Sequence, residues 1–152
     1  MKGNLTLGAL LIVLLTFSAC EKSKFDDLTV ISYGSSFGMC VGFCVSELAI
    51  GKDKMTYVQK QHSPKPDAKS CTKPTDTDEL EAIKKLLDIE KIAALPEVIG
   101  CPDCADGGAE WVTVNADGKK YKIAFEYGKA PKELAAVVAR LKVLKETFKV
   151  CN

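Results

Sequence analysis

Cys101-Pro102-Asp103-Cys104 is the segment whose residue types and spacing most resemble a chemical motif. Two thiols three positions apart suit thiol–disulfide exchange. That chemistry needs the first thiol at a helix N-terminus, where the dipole lowers its pKa. Here the motif follows a helical stretch and precedes Ala105-Asp106-Gly107-Gly108 and a strand, with no adjacent cation. The context predicts a structural crosslink between Cys101 and Cys104. A zinc site would join Cys40-x-x-x-Cys44 to the same pair as four thiolates. With three antiparallel strands, a helix and a hairpin in that order, the Cys40–Cys44 loop is expected at the top of the sheet and Cys101–Cys104, after the first helix, at the bottom, about 20 Å apart for strands of ordinary length, which disfavours a shared metal. No metal and no other cofactor is expected.

The remaining polar candidates read as structural. His62 is the only histidine and lies in a polar, proline-rich loop. With this single loop histidine, neither a Cys-His-Asn constellation nor a histidine zinc triad is persuasive. Asp103 and Asp106 lack the alternating acidic spacing of a calcium loop. Asp76, Asp78, Glu79 and Glu81 read as solvated helix-start carboxylates. Trp111 is a possible ligand platform, but a tryptophan in a strand beside a Tyr/Phe-rich partner is expected in the core. No catalytic set assembles, so the chain is not expected to be an enzyme.

The N-terminus carries a different signal. Lys2 supplies a positive start, Leu5 to Phe17 an apolar run, and Ser18-Ala19 small residues before Cys20. The apolar run is shorter than the roughly 20 residues of a membrane-spanning helix. The segment resembles a bacterial lipobox at Ser18, Ala19 and Cys20, with Phe17 where Leu, Val or Ile is usual. That resemblance implies a signal peptide over residues 1–19. It also implies a Cys20 thiol carrying diacylglycerol and an amine carrying a third acyl chain. Several chains anchor stably where one binds marginally. Glu21 follows the cysteine where an Asp would retain the protein in the inner membrane, so the expected site is the outer membrane. Residues 20–27 form the lipidated cysteine and a charged tether.

Residues 28–152 amount to one small domain. With Lys2 removed, 20 basic and 20 acidic residues remain, and the single arginine is Arg140. A neutral, lysine-dominated surface has no footprint for nucleic acid. Six cysteines follow Cys20, an even number that favours disulfides in an exported domain.

These cysteines are positioned by a readable series of elements. Leu28 to Tyr33, Phe43 to Ile50 and Met55 to Lys60 read as strands, the last two joined by the Gly51–Lys54 turn. Gln61 to Thr75 contains three prolines between 64 and 74 and reads as a long loop. Leu80, Ile83, Leu86 and Leu87 recur at helical spacing behind Asp76. Ile89 to Leu95 continues as a short helical turn stopped by Pro96. Ala109 to Val114 and Lys119 to Tyr127 flank Asn115-Ala116-Asp117-Gly118 as a hairpin. Tyr121, Ile123, Phe125 and Tyr127 alternate with polar or small residues, so one face is buried. Pro131 opens a final helix with an apolar stripe from Leu134 to Phe148.

The order β-β-β-α-β-β-α predicts an α+β fold, an antiparallel sheet of about five strands with two helices on one face. In that topology Cys71 and Cys151 share one end of the sheet and are expected to pair. Cys40 and Cys44 are left as neighbours or partners.

The segments Phe37-Gly38-Met39-Cys40-Val41-Gly42-Phe43-Cys44 and Gly100-Cys101-Pro102-Asp103-Cys104-Ala105-Asp106-Gly107-Gly108-Ala109-Glu110-Trp111, with the leader, resemble small uncharacterised lipoproteins of Gram-negative bacteria. The first segment is also similar to a wider family of domains with an FGxCPxY-like turn, with Val41 for Pro and Phe43 for Tyr. The resemblance implies no activity. The expected function is a lipid-anchored, non-enzymatic envelope domain that binds an envelope protein or a small ligand. The alternative is a thiol-active or zinc-binding envelope protein using Cys101 and Cys104.

Overall fold

The computed structural model describes residues 27–62 and 67–148. It is a mixed α+β fold built on a seven-stranded sheet with three helices. Its strands are β1 (Leu28–Ser36), β2 (Val45–Gly51), β3 (Lys54–Lys60), β4 (Ala68–Pro74), β5 (Val98–Ile99), β6 (Ala109–Ala116) and β7 (Lys119–Glu126). Its helices are α1 (Thr77–Lys85), α2 (Ile89–Ala93) and α3 (Lys132–Glu146). The sheet order is β4-β3-β2-β1-β6-β7-β5, antiparallel except where β5 runs alongside β7.

Two strands exceed the expected five. β4 lies inside the stretch that reads as a loop, and β5 is two residues long. β4 has a consequence beyond the count, because it reverses the direction of everything that follows. β1 and β3 run up, and β4 returns down to the start of α1. The α1–α2 segment then climbs to β5, which runs up beside β7. Cys101–Cys104 therefore lies at the top of the sheet, not at the bottom, next to the Cys40–Cys44 loop. The predicted separation of the two cysteine pairs is wrong for this reason.

One apolar cluster forms the core. Ile31, Tyr33, Leu48, Ile50, Met55, Tyr57, Val112, Val114, Ile123 and Phe125 project from one sheet face, against Leu80, Ile83 and Ile92 and against Leu134, Val137, Val138 and Leu141 of α3. The register places these strand residues in rows, such as Tyr57–Leu48–Tyr33–Val112–Ile123. A register shift between Leu28 and Val30 keeps Leu28 in the same cluster. Asp76 caps α1 by accepting from the amides of Asp78 and Glu79, at 2.9 and 3.1 Å. Glu79 forms a two-pronged ion pair with Arg140 of α3, and Glu81 pairs with Lys84 at 2.7 Å. Asp76, Glu79 and Glu81 are thus engaged in capping, in docking α3 and in an ion pair within the helix, while Asp78 is exposed.

α3 crosses the strands rather than running along them. Lys142 reaches Glu110 on β6, Lys145 reaches Ser35 on β1 and Ser46 on β2, and Phe148 packs on Tyr57 of β3 with ring centroids 5.8 Å apart. Beyond them, Lys73 of β4 donates to the Thr147 carbonyl. The chain thus arrives three residues short of Cys151 beside the strand carrying Cys71. Cys71 is disulfide-bonded and sits in register with Tyr57. Its expected partner Cys151 lies outside the described residues, as do Cys20, the predicted leader and the predicted tether up to residue 26. No helix among the described residues is long and apolar enough to cross a membrane.

Candidate functional site

The second sheet face is built from the alternate residues of the same strands. The rows there read Val58–Glu47–Gly34–Trp111–Ala124–Val98 and Thr72–Thr56–Ala49–Ser32–Thr113–Lys122. None of these residues belongs to the buried core cluster. Trp111 is therefore not a core residue. It is half-buried on the open face, and strand parity is the reason: Glu110, Val112, Val114 and Ala116 point to the helices, which sends Trp111, Thr113 and Asn115 the other way.

The indole lies on β1 over Gly34. A Cβ at Gly34 would stand 2.2 Å from Trp111 Cε2, so only glycine leaves room for the ring. Lys122 Nζ lies 5.5 Å from the ring centroid, within cation–π reach. Beside this platform, Ser32 donates to Glu47 Oε1 at 2.8 Å. Thr56, Thr72 and Thr113 add hydroxyl-bearing side chains to the neighbouring row. Asn115 Oδ1, one row below, is buried and has no hydrogen-bond partner among the described residues. The face also carries Lys54, Lys60, Lys120 and Lys122, all exposed. Among the described residues, none of these four ammonium groups is in ion-pair range of a carboxylate. The arrangement presents an aromatic plane, hydroxyls and uncompensated positive charge.

The top of the sheet carries the sequence-predicted cysteine sites. Cys40–Cys44 and Cys101–Cys104 are both disulfides, with Cα–Cα distances of 5.7 and 5.5 Å. Their loops are joined: Gly38 N donates to Asp103 Oδ1 at 3.2 Å, and a Cβ on Gly108 would collide with the Phe37 ring. Phe37 in turn packs on Tyr127, with centroids 4.7 Å apart. Cys101 follows neither a helix start nor a cation. Its amide donates to Glu126 Oε1 at 3.3 Å. The Lys129 ammonium, then the Cys101 amide, hold the Glu126 carboxyl below its usual range, so an anion faces Cys101. A neighbouring negative charge disfavours a thiolate, contrary to what exchange chemistry needs. Among the described residues, no group of three or more His, Cys, Asp or Glu side chains is arranged to hold a metal ion. His62 is exposed, ahead of the undescribed segment 63–66.

A third polar group lies under α3. Glu110 is fully buried and accepts from Tyr33 Oη at 2.8 Å and Lys142 Nζ at 2.7 Å. Lys145 Nζ donates to Ser46 Oγ at 2.7 Å and Ser35 Oγ at 3.1 Å. This row, absent from the sequence reading, fastens the helix to the sheet. Burial, reinforced by Glu110, raises the Tyr33 hydroxyl well above its usual range. Burial and the charge of Lys142 lower the Lys145 ammonium, against the opposing pull of Glu110.

No protein-family model and no curated protein matches this chain.

Proposed function

We propose that this protein is a lipid-anchored, non-enzymatic cell-envelope domain whose open sheet face is its binding surface. The observation that carries the reading is Trp111, half-buried on the face opposite the core and seated on a glycine. A large aromatic outside the core adds little to folding for its area and supplies a rigid contact for a ligand. The anchor rests on the lipobox-like sequence ending at Cys20, and the outer membrane on Glu21. The chain enters the sheet at the bottom of β1, the end away from both local disulfides.

Site-specific photo-crosslinking in the native envelope tests the surface even while the ligand is unidentified. A photoreactive residue at Thr113, on the open face, is expected to capture an envelope component. The same residue at Val143, exposed on α3, is expected to capture none. Capture at Val143 alone would move the binding surface to the helices. For the anchor, Cys20→Ala is expected to lose fatty-acid labelling, and a variant still labelled would sink that assignment.

The alternative, a thiol-active or zinc-binding protein using Cys101 and Cys104, draws support from the shared location of the two cysteine loops. Thiol counting on denatured, non-reduced protein separates the readings. The binding-domain reading expects no free thiol, Cys20 being lipidated, and two or four free thiols would favour the alternative.

A further inference from the structure

The open face differs from a protein-docking surface in composition. Interface centres are rich in aromatic and other large anchors and poor in charge. Here one indole stands among Thr56, Thr72, Thr113 and small residues, with exposed lysines around it. Of its two carboxylates, Glu47 accepts from Ser32, and Glu126 is held by Lys129 and the Cys101 amide. Four lysines against two already engaged carboxylates leave the face positive, although the chain without its leader is neutral. Charge complementarity therefore selects an anionic partner.

We infer that this face binds an acidic glycan, with a pyranose ring stacked on Trp111 and its carboxylate or phosphate groups drawn to Lys122 and Lys120. The inference rests on the open face being the binding surface and assigns the class of its ligand. Each part of the face matches a part of such a chain. The apolar C–H face of a sugar ring suits the indole plane. Sugar hydroxyls suit the Thr56, Thr72 and Thr113 hydroxyls and Glu47, which both donate and accept between them. The acidic groups suit lysine, a mobile point charge, better than a fixed fork. Lys122 lies over the indole and can swing from ring to anion as the sugar takes its place. The row from Val58 to Val98 crosses six strands, about 24 Å at the usual strand spacing, which accommodates an extended oligosaccharide.

Trp111 is the only tryptophan in the chain, so intrinsic emission reports on this site alone. Full-length protein in detergent is titrated with three probes: oligogalacturonate, an acidic pyranose chain; dextran, a neutral one; and polyglutamate, an anion without sugar rings. Oligogalacturonate is expected to shift the emission and saturate. The other two are expected to bind at least about tenfold more weakly, since each lacks one of the two recognition elements. By calorimetry, Lys120→Gln with Lys122→Gln should weaken oligogalacturonate binding about 3- to 10-fold and flatten its salt dependence. Both lysines are exposed, so this variant leaves the fold intact. Trp111→Ala should weaken binding about tenfold or more.

Equal binding of dextran would overturn the acidic part of the assignment. Equal binding of polyglutamate would overturn the glycan part, as would binding that survives Trp111→Ala. If no probe binds while a residue at Thr113 still crosslinks in the envelope, the glycan assignment fails and the binding surface stands. If Thr113 captures nothing and Val143 does, the surface itself fails.

Discussion

The two faces of this sheet are made from the same strands and differ in what they cover. On one, Ile31, Leu48, Ile50, Phe125 and the α3 residues Leu134, Val137 and Leu141 are completely buried. On the other, the largest side chain is a half-buried tryptophan among hydroxyls and lysines. Even the polar groups differ in kind. Glu110 is buried and bound by Tyr33 and Lys142, whereas Glu47, on the open face, keeps one contact from Ser32. Burial is concentrated on the helix-covered face, so residues on the other are under weaker packing constraint and, in the proposed function, serve contact. Neighbours on one strand, such as Glu110 and Trp111, then answer to separate demands.

The largest effect is expected where the covered face is closed at its end. A Cys71–Cys151 bond would close a loop of about 80 residues, worth roughly 4–5 kcal/mol in the chain-entropy treatment. The Cys101–Cys104 loop is far shorter and should contribute less than the typical ~2–4 kcal/mol. Cys151→Ser should therefore lower the melting temperature much more than Cys104→Ser. Non-reducing peptide mapping checks the pairing: a peptide linking Cys151 to Cys101 or Cys104 would contradict it. A reduction potential for Cys101–Cys104 between roughly −270 and −120 mV would mark it as exchange-active rather than structural.

Next in size is a contrast between neighbouring strands. Phe125→Ala should cost about 3–5 kcal/mol, the usual range for a buried aromatic. Trp111→Ala should cost less than half of that in the same urea titrations, while losing ligand. Equal costs would mean that the open face also supports the fold.

Gly34→Ala sharpens the contrast further. In the wild type the added methyl meets the indole and should cost about 1–3 kcal/mol, as overpacking does. In a Trp111→Ala background the same change should be close to neutral, because the obstructing ring is gone. A double-mutant cycle measures that coupling directly.

The smallest effect is a change of slope with pH. The Tyr33 pKa is raised in the folded state above its ordinary 10.0, by burial first and by Glu110 second. Its stabilisation is complete below the unfolded pKa and drains away as pH rises beyond 10. Tyr57, raised by burial, acts in the same direction. Lys145 has the opposite sign: its folded pKa is depressed, so stability rises with pH between the folded value and the ordinary 10.5. Tyr33→Phe should cost about 1–3 kcal/mol at neutral pH by leaving Glu110 short of a donor. It should also make the alkaline loss shallower, which urea melts at neutral pH and above pH 10 would compare.

Much of the covered face was legible in the sequence. The 109–127 hairpin follows from alternation around a turn, α1 from its cap and helical spacing, and α3 from its apolar stripe. β4 was not legible because Ala68–Pro74 is an edge strand, mostly exposed on both faces, and ends in proline. Its place is set by backbone pairing to β3, which leaves no hydrophobic pattern. Missing it inverted the later directions and misplaced Cys101–Cys104. Residue type points Trp111 to the core, but strand parity places it outside: Val112 and Val114 claim the core, so Trp111 cannot. Tyr127 was likewise expected on the buried face but is 46% exposed just past the end of β7, against Phe37. The Glu110–Lys142–Lys145 row joins residues that are distant in sequence, and their spacing carries no sign of it.

Hydroxyl-radical footprinting compares Trp111 in native envelope preparations and in the purified protein. Trp111 is expected to oxidise readily in the purified protein and to be protected in the envelope, while Val143 on α3 reacts equally in both. Equal oxidation of Trp111 in both, with protection at Val143 instead, would contradict the proposed binding surface.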